Sequence, residues 1–399
     1  LPICPAGRGT NVRKLEKLTK LENMKRIITI ALSLLPILGM AQSMNISVDS
    51  VGSLAKQLPD SVRFKVSELT VSGELNGADL KILQLIVNRP KANDKKGEVV
   101  VMSIDLSGAT ITEGKDGMRT KANELPNGMF SGARQLRKVV LPTNLISIGN
   151  SAFSGCANLP AITIPDGVII LGNDAFKGCE QLTAINLPER VAKIGNSAFY
   201  GCRALASVNI PGKVDKIENY TFKGCESLNT LNLPEGINSI GSDAFENCKS
   251  LTSVSFTKLS KMGSQAFKNC VSLRSVTIDG SINEINSDTF LGCTSLADVS
   301  LPKGIKTINS NAFRDCKCLA DFKFPSSLQK IGSSAFEGCS SLREAILSTM
   351  MKSIGSSAFE DCTSLDSVAI GGTVAEIESK TFYHCSALRA VSQLISGSP

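Results

Sequence analysis

Residues 182–202 read LTAINLPERVAKIGNSAFYGC, and this stretch decides the architecture. Ile185 and Leu187 alternate with polar neighbours, the two-residue period of a half-buried strand. Pro188-Glu189-Arg190 turns the chain, where other copies of the unit use Pro-Asp-Gly, Pro-Glu-Gly or Pro-Lys-Gly. Val191 and Ile194 form a second short apolar pair, followed by Gly195. The next residues, Asn196 to Phe199, suit a short helical turn. Asn196 has the side chain of an N-cap. Gly201 tolerates the left-handed backbone that stops such a turn. Cap and stop are so close that the helix spans about one turn.

The unit recurs through most of the chain. Phe stands at 130, 153, 176, 199, 222, 245, 267, 290, 313, 336, 359 and 382, with a spacing of 23 except for 22 between Phe245 and Phe267. From Cys156 to Cys385, a cysteine follows each Phe by three residues, which accounts for 11 of the 13 cysteines; Cys4 and Cys318 stand outside. The cap position holds Asn or Ser from Asn150 to Ser379, and the stop position holds Gly, Asn, Asp or, once, His384. A lone coil of this length cannot bury its apolar face, whereas stacked coils share a continuous core. The spacing predicts a solenoid of strand-rich 23-residue coils with short one-turn helices. Stacked at ~4.8 Å per strand, twelve coils extend on the order of 55–60 Å.

The flanks differ. Residues 42–125 lack the Phe/Cys register and read as an irregular N-terminal capping region, with strands at Leu69–Gly73 and Ile104–Gly108 and a helix at Leu80–Ile86. Residues 89–98 read as a polar loop, and 126–399 as the solenoid proper, which stops at Ser398-Pro399 with no capping segment in view. Met24-Lys25-Arg26 opens a basic, then apolar stretch that ends in Gly39 and Ala41, the pattern of a cleavable signal peptide over residues 24–41. Its apolar run is too short to span a bilayer, so no membrane span is expected after cleavage. Residues 1–23 precede a natural initiator Met and read as an over-extended gene start.

The formal charge of +7 invites nucleic acid until it is located. Residues 1–43 hold seven Lys/Arg against two acids, leaving 36 basic and 34 acidic side chains for 44–399. So balanced a remainder offers a nucleic-acid backbone no basic face.

The unit in residues 194–202 and 205–211 closely resembles the BspA-type leucine-rich repeat, over roughly residues 126–391. The stretch from Ser72 to Gly77 is similar to the N-terminal region of such proteins. The resemblance implies a leucine-rich-repeat solenoid exported by anaerobic bacteria, engaged in adhesion to host matrix proteins or to other bacteria, with no catalytic residues to carry over. The chain departs from the family's pattern in showing no recognisable C-terminal sorting or anchoring segment, so the resemblance leaves outer surface, secretion and periplasm open as locations.

Chemistry is sparse. The cysteine ladder brings thiols within disulfide distance, but the side chains run parallel and each occupies the place of a small buried apolar residue. Free buried thiols are expected, with Cys318 the exposed, reactive one. No Cys-x-x-Cys pair or companion His supports a metal, and no cofactor is expected. His384, the lone histidine, sits in the stop position and reads as architecture. What is left is a surface: the outward residue between the two inward ones of the first strand, Thr163, Asn186, Asn209, Asn232, Ser255, Thr277, Ser300, Lys323 and Ile346, then Ala369. This small polar stripe is the candidate protein-binding face, and equally a solvated sheet; its apolar end, with Ala345 and Met350-Met351 near Ile346, is a second contact patch. The function expected is an exported protein-binding or adhesion module. A structural or scaffold protein of the cell envelope is the alternative, and an enzyme with an unrecognised site a remote one.

Overall fold

The computed structural model describes residues 43–59, 63, 65–88, 101–371, 374 and 376–394. Residues 1–23, the signal peptide assigned to 24–41, Cys4, the polar loop and Ser398-Pro399 lie outside the described residues.

Most coils contribute two short strands, and most of these pair in parallel with their counterparts one coil away. In the first ladder Ile162 stands opposite Ile185; in the second Leu171 stands opposite Ile194. These residues point inward and are buried, while their neighbours along the strand face out. Parallel pairing follows from the repeat, because every coil runs the same way around the core.

The segment expected as a one-turn helix is realised as linked reverse turns. Ser154 N donates to Ser151 O at 3.1 Å and Cys156 N to Phe153 O at 3.1 Å. The N–H groups of Ser151, Phe153 and Gly155 instead reach the next coil, donating to the carbonyls of Asn173, Ala175 and Lys177 at 2.7, 2.8 and 2.6 Å. The turn is thus a third inter-coil ladder. Left-handed residues flank each Phe on both sides: the stop position as expected, from Gly155 (φ 76°) to His384 (φ 59°), and also the position two before it, from Ser151 (φ 54°) to Lys380 (φ 58°). Alternating backbone hand turns every second N–H group along the stacking axis, and the inter-coil bonds offset a cost of about 1–2 kcal/mol per non-glycine left-handed residue.

The capping role of the Asn side chain also differs from expectation. Asn150 Oδ1 accepts from Asn173 N at 2.8 Å, and Asn173 Oδ1 from Asn196 N at 2.9 Å. Each carboxamide serves the coil that follows instead of its own turn.

Inside, the repeat Phe rings form one stack from Phe130 to Phe382. Successive centroids lie 5.1–5.7 Å apart, as in the Phe153–Phe176 pair at 5.1 Å and the Phe359–Phe382 pair at 5.7 Å. Offset rings at this spacing gain beyond their buried area. The Cys side chains line a second internal row, each Sγ donating to the Phe carbonyl of the preceding coil, Cys179 to Phe153 O at 3.2 Å for example.

At the N-terminal side the first ladder continues into less regular coils: β1 (Ser43–Val48), β2 (Glu68–Leu75) and β3 (Ser103–Asp105) stack in that order, and β3 pairs with Lys138–Val140. Two helices lie between them, α1 (Leu54–Gln57) and α2 (Gly77–Val87); α2 contains the helix expected at Leu80–Ile86. Asn76 caps α2 by accepting from Ala78 N and Asp79 N, and Asp79 returns a bond to Asn76 N. The buried Asp79 carboxylate also accepts from Gly52 N at 2.7 Å and Leu54 N at 3.0 Å, which ties α1 to α2.

Candidate functional site

The solenoid presents its variable side chains on distinct faces: the outward side of the first strand, the outward side of the second strand, and the turn segment.

On the first face, Thr163, Asn186, Asn209, Asn232, Ser255, Thr277, Ser300, Lys323 and Ile346 are all exposed, and Ala369 is half-buried. Thr163 stands opposite Asn186, Asn209 opposite Asn232, and Ser255, Thr277 and Ser300 follow in register. The pairing is interrupted. Residues 161–163, 184–186, 207–209 and 230–232 form one sheet, Ser253–Leu259 begins another, and Lys323 lies in a coil whose residues 320–325 form no strand. In that coil Phe322 and Phe324 pack edge-on at 4.8 Å, bringing a second aromatic pair against the Phe stack at Phe336. At the apolar end Ile346 and Met350 are exposed, whereas Ala345 and Met351 point into the core and belong to no patch.

The turn face carries all three tyrosines, which the stripe does not reveal. Lys177 lies 5.3 Å above the Tyr200 ring and 3.3 Å from Asp174. Lys223 lies 5.4 Å from the Tyr220 ring and bridges Asp243 at 3.1 Å and Glu246 at 2.5 Å. Burial pushes the Glu246 carboxyl above its ordinary value. These positions lie one after and two before each repeat Phe, slots that vary from coil to coil, so periodicity alone does not mark them.

The cysteines are free in the described residues: the ladder from Cys156 to Cys362 is buried, Cys385 half-buried, and Cys318 exposed as expected. Burial pushes the Cys156 and Cys293 thiols up to about 12 and the Cys385 thiol up to about 11. A thiol so far from ionisation is a poor nucleophile and a poor metal ligand. His384 bonds Asp361 Oδ1 through Nδ1 at 2.9 Å and stacks on Tyr383, while the Cys385 thiol beside it turns inward to the Phe359 carbonyl. No group of three His, Cys, Asp or Glu able to hold a metal occurs among the described residues. No helix among them is long and apolar enough to cross a membrane.

Six copies of the BspA type leucine rich repeat region match residues 123–252 and 260–389, about two thirds of the chain. The chain belongs to this family. Proteins of the BspA type are leucine-rich repeat scaffolds, and membership points to a protein-interaction or surface module. Among solved structures, a leucine-rich repeat protein from Bacteroides ovatus is 25% identical, with 77% of this chain and 91% of that one covered and a TM-score of 0.48. A leucine rich cell surface protein from Faecalibacterium prausnitzii is 26% identical, with coverages of 76% and 90% and a TM-score of 0.49. No curated protein matches the BspA-type chain.

Proposed function

We propose that this BspA-type chain is an exported, non-catalytic protein-binding module that uses the first strand face in adhesion, to host matrix or bacterial surface proteins. In this proposal residues 24–41 direct export, 42–125 cap the solenoid and 126–399 present the binding face. The observation that carries it is the row of exposed Thr, Asn and Ser from Thr163 to Ser300, laid out on two sheets, Thr163 to Asn232 and Ser255 to Ser300. Short side chains on a backbone held by ladders on three sides lose little entropy on binding, so their hydrogen-bonding groups are preorganised.

The test has two parts. Proteolysis of intact cells should cleave the chain; full protection would overturn surface adhesion in favour of an envelope scaffold. Purified protein should also bind immobilised matrix or bacterial surface proteins, and the triple substitution N186R/N209R/N232R should weaken that binding at least tenfold with the melting temperature preserved. Unchanged binding by the triple variant would remove this face from the function.

A further inference from the structure

The second strand ladder contains one opening. Along the ladder, the residue after the inward Ile or Leu is glycine in most coils, as at Gly149, Gly172, Gly195, Gly241 and Gly263. The reason is steric: a Cβ built on Gly195 would lie 2.5 Å from Asn173 N and 2.6 Å from Gly172 C of the preceding coil. Three coils break this rule directly after a glycine coil, with Glu218, Asn286 and Glu378. The same three carry Thr where the other coils from Ala152 onward carry Ala before the repeat Phe. Thr221, Thr289 and Thr381 are buried and donate to the carbonyls of Glu218, Asn286 and Glu378 at 2.8, 2.7 and 2.6 Å.

The coil responds by standing off from its predecessor. At Glu378 the bond to Ile354 O persists at 3.2 Å, against 2.9 Å for Gly355 N to Ile331 O one coil earlier. At Asn286 the ladder parts, and the Asn286 side chain fills the gap by donating to Met262 O at 2.5 Å. At Glu218 the ladder also parts, and among the described residues no hydrogen bond joins Ala192–Ile194 to Asp215–Glu218. A cleft of about 270 Å³ opens there, lined by Ala192, Lys193, Ile194, Asp215, Lys216 and Glu218.

Two neighbouring features give the cleft a chemistry. Lys193 and Lys216 are exposed and, among the described residues, make no ion pair, while Asp215 turns toward Asn238 of the following coil. Beside them Ile146, Ile169 and Ile170 are exposed on adjacent coils, where Ile169 N donates to Ile146 O at 2.9 Å and Ile170 stands opposite Lys193. Later coils place Asp215, Asn238 and Ser260 in the slot of Ile146 and Ile169. We propose that the cleft and the isoleucine shelf dock a short segment of a partner protein that sets a carboxylate beside an apolar side chain. The carboxylate lies between Lys193 and Lys216, within reach of the unpaired backbone N–H groups of the stood-off coil, and the apolar side chain covers the isoleucines. This surface is separate from the first strand face, and either can fail without the other.

The experiment selects a library of random displayed twelve-residue peptides against the protein and measures the enriched peptides by fluorescence polarisation. Enrichment of Asp or Glu next to Leu, Ile or Phe is expected, with affinity reduced at least tenfold by K193E/K216E and unchanged by K330E. The double variant E218G/T221A rebuilds the common coil and should close the ladder, abolishing binding while both lysines remain. Hydrogen exchange should show newly protected amides at positions 216 and 218 in that variant. Enrichment without acidic residues, no enrichment, or full affinity in either double variant would overturn the proposal. Peptides lost only in N186R/N209R/N232R would overturn it too, and would support the strand-face function instead.

Discussion

Asn173 Oδ1 accepts the backbone N–H of Asn196 in the next coil at 2.9 Å, so a side chain with the look of a helix cap is an inter-coil clamp. The clamp repeats at Asn127, Asn150 and Asn219, whose Oδ1 accepts from Ser242 N at 2.8 Å. Asn173→Ala should therefore speed amide exchange at Asn196, not at the turn of its own coil. Its stability cost should be about 0.5–1.5 kcal/mol, the net worth of one hydrogen bond. Hydrogen exchange read by NMR or mass spectrometry distinguishes the two sites.

Phe222 sits mid-stack, with Phe199 and Phe245 at 5.4 and 5.5 Å. Phe222→Ala should cost about 3–5 kcal/mol, because the rigid neighbouring coils cannot collapse into the cavity. Phe382→Ala should cost less, since Phe382 is only partly buried and has a ring neighbour on one side. Chemical denaturation of the two variants checks the difference.

Stability should fall in alkali. The ladder thiols have folded values raised above the ordinary 9.0, to about 12 for Cys156 and Cys293 and well above 9.0 for Cys316, because burial disfavours the thiolate. Below pH about 8 both states hold protonated thiols and nothing is lost. Above 9 the unfolded chain ionises while the fold keeps its protons. Each buried thiol then shifts the balance toward unfolding by up to about 1.4 kcal/mol per pH unit. Denaturation midpoints between pH 7 and 11 should drop steeply, and a Cys→Ala series along the ladder should flatten the profile.

Thiol labelling of the native protein should mark Cys318 first. Cys318 is exposed, whereas the ladder from Cys156 to Cys362 is buried. Those sites should label only after denaturation, without a reductant, as mapped by mass spectrometry. Protection that persisted in denaturant until reduction would indicate bridges in the ladder.

Asp79→Ala should loosen the N-terminal coils selectively. Three backbone N–H groups, of Gly52, Leu54 and Asn76, would lose a buried acceptor. A cost of at least about 2 kcal/mol follows from leaving buried donors unpaired. Limited proteolysis should show cleavage between α1 and α2 while the repeat coils stay intact.

Most of the fold was legible in the chain because a repeat states its constraints many times over. The Phe, Cys and Leu of each unit, the inward residues of the first strand and the left-handed stop after Phe follow from side-chain type at fixed spacing, and His384 among glycines and aspartates shows how tolerant that stop is. The second left-handed position was not legible. It holds Ser, Asp, Tyr, Gln, Asn or Lys, types chosen by the bonds their backbone makes to the next coil and not by their own propensity. Likewise Asn173 has the composition of a cap whichever coil it serves, and only the stacking of a second coil decides the acceptor. Ala345 and Met351 were assigned to a surface from proximity along the chain, yet their strand and turn direct them inward. The candidate faces divide the same way. Periodicity by itself determined which first-strand residues look outward. The array of Tyr200, Tyr220 and Lys223, the isoleucine shelf and the opening at Glu218 arise between coils 23 residues apart, where a single added Cβ can part a ladder, so tertiary structure alone decided them.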